Sequence, residues 1–458
     1  MTLATSSIFL PYDIRGVVGD GLDVSTAYQI GRAIGSEAVE RGIDTVASGR
    51  DARISSPALQ QALNDGLLAS GVNVLDIGCV PTPLLYFVAC TRTAGSGVMV
   101  TGSHNPPEYN GIKVMLNEES LFGEAITALH QRILDEKFSH GAGSLVRRQL
   151  ADTYLDEMAS RITLQRPLKV VVDCGNGMAG QTAPVLLQRL GCEVIPLFCE
   201  VDGSFPNHHP DPNRQENLRD LQRLVVDEGA DLGIAFDGDG DRLGVVSNTG
   251  DIIWPDRVMM IFARDLLSRH PGAEVIYDIK CSRHLGEVIT QAGGVPSMWR
   301  SGHSMLKARM RERGALLGGE MSGHILLKEG WYGFDDALFA AARLVQILSH
   351  QLDAGSIFSA LPDAISTPEL HMQMGEGEPG RLMERLLGRQ DFFSGAILNT
   401  IDGLRVEYAD GWGLVRASNT TPTLVLRFEA DDTSALTRIK KCFSRLLLQL
   451  EPSLKLPF

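Results

Sequence analysis

The chain has 458 residues and a formal net charge of −14, and 44% of its residues are hydrophobic. A chain of this length is too long for one hydrophobic core, so we expect several domains. The acidic balance argues against broad binding to nucleic acid or to an anionic membrane, because both need a basic surface. If the substrate is an anion, the basic side chains that bind it must be gathered locally.

The N-terminal residues and the cysteines predict a cytoplasmic protein. Residues 1–9 contain no basic residue and no long apolar stretch, so we do not expect a signal peptide. No apolar run approaches the roughly 18 residues that cross a bilayer. The seven cysteines form no C-x-x-C pair and are predicted to be reduced and mostly buried. The acidic balance and the absence of a long apolar run together predict no nucleic-acid partner and no membrane partner.

The first structural pattern along the chain is strand, helix, strand. Residues 45–47 predict a strand that runs into Gly49-Arg50-Asp51, and Ser56-Pro57 predicts an N-cap followed by a first-turn proline. Apolar residues at helical spacing follow until Gly71, and residues 72–77 predict the next strand. Such a unit implies a parallel pair of strands.

The same pattern recurs twice. Residues 170–173 predict a strand before a helix that ends near Gly191, and residues 275–278 predict a strand before a helix that ends near Gly293. In each copy an aspartate stands where the first strand ends. Three copies at intervals of roughly a hundred residues predict three similar α/β domains.

The C-terminal stretch has a different pattern. Residues 424–428 predict a strand, and residues 436–450 carry apolar side chains on one helical face. We read this part as a smaller α+β domain. The expected domains are residues 1–148, 149–252, 253–363 and 364–458.

The run Asp237-Gly238-Asp239-Gly240-Asp241-Arg242 predicts a cation site. Three carboxylates at alternate positions, with glycine between them, let a tight loop aim oxygens at one hard cation. An acidic surface turn is the simpler alternative, and we expect the loop to be exposed. An EF-hand calcium loop is contradicted because its sixth position is Arg242 and its twelfth is Asn248.

A serine follows the apolar residues 98–100 in Thr101-Gly102-Ser103-His104-Asn105-Pro106. Pro106 and Pro107 prevent the loop from continuing as a helix. Gly102 lets the chain turn so that the Ser103 hydroxyl projects from the carboxyl end of the strand, where open α/β sheets bind ligands. An ordinary polar loop is the alternative interpretation.

Two further loops carry polar groups. Residues 319–324, Gly-Glu-Met-Ser-Gly-His, offer acceptors and donors that suit the vicinal hydroxyls of a sugar, although they also suit any polar loop. Residues 416–422, Arg-Ala-Ser-Asn-Thr-Thr-Pro, combine a guanidinium with hydroxyl, amide and backbone donors that can surround a phosphate. A solvated turn is the alternative for the second loop.

These four motifs, together with Tyr-Asp-Ile-Arg-Gly at residues 12–16, occur in an order that resembles the α-D-phosphohexomutase superfamily. The combination is most similar to its bacterial phosphomannomutase/phosphoglucomutase branch, over nearly the whole chain. The resemblance implies three similar mixed-sheet α/β domains plus a smaller C-terminal α+β domain, arranged around a deep central cleft.

The resemblance also implies a role for each matching residue. Ser103 would carry a phosphoryl group, and Asp237, Asp239 and Asp241 would hold Mg²⁺ together with an oxygen of phosphorylated Ser103. The catalytic residues would be Ser103, His104, Lys113, Arg15 and Arg242, with His104 and Lys113 as the candidates for proton transfer. The substrate-binding residues would be Tyr12, Lys280, His303, Glu320, Ser322, His324, Arg416, Ser418, Asn419 and Thr420.

The implied activity is interconversion of hexose 1-phosphate and hexose 6-phosphate, for mannose and glucose, through phosphoserine and a hexose 1,6-bisphosphate. Glucose 1,6-bisphosphate would be an activator, hexose phosphates the only partners, and the protein a monomer. A phosphoglucosamine mutase is one alternative, but Met321 and Asn419-Thr420-Thr421 favour the mannose/glucose branch. A non-catalytic sensor of sugar phosphate or divalent ions is another, and it would need a defect in the chemical centre that the sequence does not show.

Overall fold

Four β-sheets follow one another along the chain in the computed structural model, which describes residues 6–375, 377–418 and 422–458. The sheets contain eight, five, four and six strands, and each is accompanied by helices. This architecture confirms the predicted fold class, in which three α/β domains with mixed sheets are followed by a C-terminal α+β domain.

The N-terminal domain holds the largest sheet, in which parallel and antiparallel pairs are mixed. Its strands are β1 (Ile14–Val18), β2 (Gly21–Leu22), β3 (Thr45–Arg50), β4 (Asn73–Cys79), β5 (Gly97–Val100), β6 (Tyr109–Leu116), β7 (Glu119–Ser120) and β8 (Leu145–Arg147). The strand order is β2-β1-β6-β5-β3-β4-β8, with β7 paired to β6. Its helices are α1 (Val24–Glu40), α2 (Ser56–Ala69), α3 (Thr82–Arg92) and α4 (Glu124–Leu134).

The second and third domains have smaller mixed sheets. The second has the order β10-β9-β11-β12-β13 and the third the order β15-β14-β16-β17. The second comprises α5 (Ala151–Arg161), β9 (Lys169–Asp173), α6 (Ala183–Arg189), β10 (Glu193–Leu197), α7 (Arg219–Glu228), β11 (Leu232–Phe236), β12 (Leu243–Ser247) and β13 (Ile252–Ile253). The third comprises α8 (Pro255–Arg269), β14 (Glu274–Asp278), α9 (Arg283–Gln291), β15 (Val295–Trp299), α10 (His303–Arg313), β16 (Leu317–Gly319), β17 (Ile325–Leu327), α11 (Ala337–Ser349) and α12 (Gly355–Ser359).

The C-terminal domain has an antiparallel sheet, ordered β18-β23-β22-β21-β20 with β19 paired to β23. Its elements are β18 (Ile365–Ser366), β19 (Leu370–Gln373), α13 (Glu378–Leu387), β20 (Ile397–Asn399), β21 (Leu404–Tyr408), β22 (Gly411–Ala417), β23 (Thr423–Ala430) and α14 (Thr433–Leu450). The expected boundary between residues 252 and 253 falls inside β13, so the second sheet extends one residue further than predicted. We otherwise keep the four predicted ranges as our proposal.

The three predicted strand-helix-strand units are present as parallel pairs. β3 pairs with β4, β9 with β10, and β14 with β15, and each pair encloses one helix or more. One local prediction is wrong. Ser55 rather than Ser56 is the N-cap of α2, because Ser56 is already helical and its hydroxyl donates to Asp51.

The aspartate at the end of the first strand of each unit holds neighbouring loops in place. Asp51 accepts hydrogen bonds from Thr101 Oγ1 (2.9 Å) and Gly102 N (3.0 Å). Asp278 accepts from Ser301 Oγ (2.9 Å) and Met321 N (3.1 Å). Asp173, the third aspartate of the set, binds a loop of its own domain. Both of its carboxylate oxygens lie 3.1 Å from Nε2 of the His208 imidazole.

One continuous hydrophobic core joins parts of the first three domains. It includes Leu84 of α3, Tyr154 of α5, Val170 of β9, Phe262 of α8 and Leu344 of α11. The C-terminal domain has a separate core in which α13 and α14 pack against its sheet. The first three domains are therefore held together by a shared apolar core, whereas the described residues of the fourth domain form a core of their own.

Within the described ranges, none of the helices is both long and apolar enough to cross a lipid bilayer. The seven cysteines carry free thiols, three of them buried.

Candidate active site

The serine loop after β5 meets the acidic loop after β11. Ser103 Oγ lies 3.0 Å from Asp237 Oδ2 and 3.0 Å from His104 Nδ1. The Ser103 backbone has a φ of +49°, a region that residues other than glycine seldom occupy. Arg15 donates to Asn105 Oδ1 at 2.6 Å, so β1 adds a guanidinium to the same loop. The hydroxyl of Ser103 is thus held against a carboxylate from another domain.

The acidic loop is buried, which contradicts the expectation of an exposed turn. Asp237, Asp239 and Asp241 are each 0% exposed, and each offers a carboxylate oxygen within 4.8 Å of the others. Burial and the other two carboxylates raise the pKa of Asp237 well above its usual value. Within the described part of the chain, Asp239 Oδ1 has no hydrogen-bond partner. Buried, crowded carboxylate oxygens are the ligands that a hard divalent cation prefers, so the three residues fit magnesium.

Lys113 partly neutralises this acidic loop. Its ammonium lies 2.7 Å from Asp239 Oδ2 and 2.5 Å from Asp241 Oδ2. Burial lowers the pKa of Lys113, but the two carboxylates outweigh burial, and the pKa lies well above its usual value. Desolvation and the guanidinium of Arg242 hold the pKa of the His104 imidazole well below its usual value. The pKa values of the two side chains predicted to transfer protons are therefore shifted in opposite directions.

The loop after β16 forms a tight turn that presents Glu320, Ser322 and His324. Glu320 N donates to His324 O at 2.9 Å, and Gly323 N donates to Glu320 O at 3.0 Å. The side chains of Glu320 and His324 form an ion pair at 3.0 Å. Burial lowers the pKa of His324, but Asp241 and Glu320 outweigh it and raise the pKa to about 9. In the same way, His324 overcomes the effect of burial and lowers the pKa of Glu320 to about 2.

This loop is attached to the acidic loop. Arg242 and His324 form an isolated antiparallel bridge, and Leu243 N donates to Gly323 O at 3.0 Å. The His324 ring also lies 3.3 Å from Asp241 Oδ1 and stacks on the His303 ring, with centroids 4.9 Å apart. The predicted metal and sugar loops therefore form one connected site.

Two of the remaining predicted residues, Lys280 and Tyr12, make contacts between domains. Lys280 Nζ donates to Glu369 Oε1 at 2.8 Å. Tyr12 OH donates to Ser301 O at 2.8 Å, next to the start of α10. Arg416, at the end of β22, is 6% exposed. Ser418 follows β22 and is partly buried, whereas Asn419 and Thr420 lie outside the described residues.

Comparisons with known proteins agree with this arrangement. Models of the four phosphoglucomutase/phosphomannomutase domains match the chain: α/β/α domain I at residues 6–140, domain II at 152–250, domain III at 254–364 and the C-terminal domain at 372–446.

The chain belongs to the phosphoglucomutase/phosphomannomutase family. It is 54% identical to a phosphomannomutase/phosphoglucomutase of Pseudomonas aeruginosa, over 99% of this chain and 98% of that protein. It is 49% identical to a phosphoglucomutase of Neisseria gonorrhoeae, over 98% of each chain. The crystal structure of a phosphoglucomutase/phosphomannomutase family protein from Burkholderia thailandensis has a TM-score of 0.95 and 50% identity, covering 99% of this chain and all of that one. The chain is therefore a hexose-phosphate mutase, an isomerase.

Three further residues contact the candidate site although no sequence motif marked them. Asp335 is 0% exposed and lies 3.0 Å from His303 Nδ1. Asp402 accepts hydrogen bonds from Arg416 Nε and from Ser301 N, each at 3.0 Å.

The third is Arg53, which is 1% exposed and lies under the serine loop. Its position two residues after the strand-end Asp51 is the only signal that the sequence offered. Neither Asp335 nor Asp402 belongs to a motif, so nothing local marked them.

Proposed function

We propose that this mutase interconverts the 1-phosphates and 6-phosphates of mannose and glucose, with Ser103 as the residue that alternately donates and accepts the phosphoryl group. The observation that carries the proposal is the position of Ser103 Oγ at the end of β5, 3.0 Å from both Asp237 Oδ2 and His104 Nδ1. This placement gives the hydroxyl a proton acceptor on one side and the acidic loop on the other.

The proposed reaction has two equivalent halves. In the first, the bond between phosphorus and Ser103 Oγ breaks and a new bond forms between phosphorus and the oxygen of the free hydroxyl of the hexose phosphate. The proton of that hydroxyl passes through the protein to Ser103 Oγ, and the second half returns it. The product is a hexose 1,6-bisphosphate. It turns end for end, and Ser103 takes the phosphoryl group from the other carbon. His104 is our candidate for the residue that exchanges the proton, because its Nδ1 already contacts the serine oxygen.

The charged residues around Ser103 have proposed roles in binding the phosphoryl group. Asp237, Asp239, Asp241 and an oxygen of phosphorylated Ser103 would hold Mg²⁺. When bound, the ion would neutralise charge on the transferring phosphoryl group and act as a Lewis acid. We assign three cations of the chain to orient and neutralise the same group: Arg15, Lys113 and Arg242.

The other loops are proposed to bind the sugar and its second phosphate. Glu320 and Ser322 would bind the O3 and O4 hydroxyls, which present a similar pair in both orientations of the bisphosphate. Arg416 and Ser418 would bind the phosphate that does not react, together with Asn419 and Thr420. The residues proposed to line the site around the sugar are Tyr12, Lys280, His303 and His324.

Three further properties belong to the proposal. Glucose 1,6-bisphosphate would be an activator, because it can rephosphorylate Ser103 after an intermediate escapes. The protein would act as a monomer. It would be cytoplasmic, in agreement with its free thiols.

Phosphopeptide mapping tests the role of Ser103. After incubation with glucose 1,6-bisphosphate, the phosphate should be found on Ser103. The Ser103→Ala variant should carry no phosphate at this position, and its turnover should fall by on the order of 10³-fold or more. Ser160→Ala, which changes an exposed serine of α5, serves as the control and should behave as the wild type. Absence of phosphate from Ser103 in the wild type would contradict the proposal.

Substrate specificity is tested with mannose 1-phosphate, glucose 1-phosphate and glucosamine 1-phosphate. The first two should differ by less than about 10² in kcat/KM, because the proposed sugar contacts address O3 and O4 and ignore the configuration at C2. Glucosamine 1-phosphate should be poorer, and Glu320→Ala should weaken both hexoses equally. A preference for one hexose above about 10⁴ would reveal a contact to O2 and overturn this part of the proposal.

A further inference from the structure

We propose that Arg53 is a positioning residue that shapes the loop carrying Ser103. The inference rests on the proposed function, in which Ser103 carries the phosphoryl group. Arg53 lies between β3 and α2, some fifty residues before the serine, and its side chain is buried beneath the serine loop.

The guanidinium of Arg53 binds the backbone of the serine loop at four points. Nη2 donates to Ser103 O (2.8 Å) and Asn105 O (2.6 Å). Nη1 donates to Pro106 O (2.5 Å) and Tyr109 O (3.0 Å). One rigid, planar group therefore fixes the directions of four carbonyls along the loop.

All five N–H groups of this guanidinium are used. The fifth, on Nε, donates to Asp51 Oδ2 at 3.1 Å. A guanidinium has five donors in a fixed fork, whereas an ammonium has three rotatable ones. Lysine at this position cannot reproduce the pattern, so at least two of the five acceptors would lose their partner.

The guanidinium is itself held on several sides. Asp51, which binds Arg53, also accepts from Thr101 and Gly102 of the same loop. The Phe205 ring lies over the guanidinium, 5.1 Å from Cζ to the ring centroid. An added Cβ at Gly102 would stand only 2.4 Å from Arg53 Cζ, so the loop packs directly on the arginine.

These contacts bear on catalysis because one acceptor is the carbonyl of Ser103 itself. That residue has a positive φ, a conformation that persists only where the surroundings enforce it. Fixing its carbonyl fixes the peptide plane that follows the Ser103 Cα, and this Cα carries the side chain. The distance of 3.0 Å from Ser103 Oγ to Asp237 Oδ2 thus depends on Arg53, which contacts neither Asp237 nor the proposed sugar residues directly.

The experiment compares Arg53→Lys with Arg32→Lys in the full-length protein. Arg32 lies in α1 of the same domain and also donates to a backbone carbonyl, Ser139 O at 2.8 Å, away from the serine loop. Wild type and variants are phosphorylated with glucose 1,6-bisphosphate and mixed with glucose 1-phosphate. Loss of the phosphoryl group from Ser103 is followed by intact mass in a single turnover, and kcat, KM and Tm are measured alongside.

We expect Arg53→Lys to slow the single-turnover transfer by about 10²-fold, because misplacement of a reacting group by ~1 Å has that effect. KM should change by less than about threefold, since the sugar and phosphate contacts lie on other loops. Arg32→Lys should transfer at the wild-type rate. Equal transfer rates in the two variants, or a rise in KM as large as the fall in rate, would overturn the inference.

Two controls keep the result interpretable. If wild-type Ser103 carries no phosphate, the proposed function fails rather than the role of Arg53. If Arg53→Lys does not fold, Phe205→Leu decides instead, because it removes the ring from the guanidinium and leaves every hydrogen-bond donor in place. Transfer of the phosphoryl group from Ser103 should then slow by roughly three- to tenfold, the loss expected from one cation–π contact, and KM should stay unchanged. Transfer at the wild-type rate would overturn the inference.

Discussion

At the scale of single residues, the acidic loop is a buried concentration of negative charge. Burial removes the water that would otherwise screen the repulsion among Asp237, Asp239 and Asp241. Their pairing with Lys113, Arg242 and His324 offsets only part of this repulsion. An additional cation would relieve this imbalance, and the high pKa of Asp237 has the same cause. Metal binding should therefore stabilise the folded protein as well as support catalysis.

We predict that Asp239→Asn removes most of the stabilisation that Mg²⁺ binding gives to the folded protein. The substitution keeps the size of the side chain but removes one charge from the proposed ligands, so turnover at low Mg²⁺ should fall by about 10²-fold or more. Wild-type protein should gain free energy of unfolding when Mg²⁺ is added, as linkage requires, and the variant should gain much less. Urea unfolding with and without Mg²⁺ measures the difference.

Asp251→Asn is the matched control, because Asp251 is an exposed carboxylate of the same domain. It should respond to Mg²⁺ as the wild type does. An Asp239→Asn variant that kept both the wild-type response and full activity at low Mg²⁺ would contradict the metal assignment.

At the scale of secondary-structure elements, the site is assembled from the ends of strands. The loops after β5, β11 and β16 carry Ser103, the three aspartates and Glu320, and Arg416 is the penultimate residue of β22. Strand-end carboxylates such as Asp51 and Asp278 fasten these loops to the sheets. The side chains with proposed chemistry are therefore positioned by the ends of strands and by the carboxylates beside them.

Arg416 shows how one strand end is joined to the next domain. Its Nε and Nη2 donate to Asp402 at 3.0 and 3.3 Å, and Asp402 also accepts from Ser301 N of the third domain. A lysine would keep the charge but would lose the forked contact. We predict that Arg416→Lys raises KM for glucose 1-phosphate about tenfold and also lowers kcat, because the bound phosphate aligns the reacting end.

Steady-state kinetics tests this prediction, with Arg438→Lys as the control. Arg438 lies in α14 of the same domain and pairs with Asp410 at the surface. Its replacement should leave KM unchanged. If both variants had the same KM, the assignment of Arg416 to phosphate binding would be wrong.

At the scale of the whole molecule, the fourth domain is attached differently from the others. Its own core is separate, and its junction with the third domain combines a small apolar contact of Ile279, Trp412 and Leu414 with buried polar pairs. Both Nη atoms of Arg427 lie 3.2 Å from Asp256 Oδ2. Arg405 Nη1 donates to the backbone carbonyls of Ile279 (2.6 Å) and Cys281 (2.7 Å).

We predict that Arg427→Ala loosens this junction. Removing one partner of a buried ion pair leaves Asp256 without its main counter-charge, which costs about 3–5 kcal/mol. The C-terminal domain should then unfold at a lower urea concentration than in the wild type, so that its transition separates further from that of the other domains. Tryptophan fluorescence, which includes buried Trp412, and circular dichroism should report different midpoints.

Arg438→Ala removes an exposed pair of the same domain and should cost less than about 1 kcal/mol. Coincident transitions in Arg427→Ala, with a midpoint equal to that of Arg438→Ala, would show that the junction does not depend on the buried pair.

The sequence by itself predicted the three β-α-β units, the C-terminal strand and helix, and the chemistry-bearing loops. Strand and helix periodicity, together with glycine at the ends of the helices, predicted the three β-α-β units, because these signals arise from neighbouring residues. The motifs around Ser103, Asp239, Glu320 and Arg416 were likewise visible, since each loop is a short continuous run.

Only the tertiary structure decided how these loops meet. Lys113 neutralises two aspartates that lie 126 and 128 residues away, and no local pattern connects them. The acidic loop was expected to be exposed because its composition is polar, yet packing of three domains around it makes it buried. Arg53 and Asp402 act through backbone groups that are distant in sequence. Such partners leave no periodicity or motif, so they become evident only when the chain is folded.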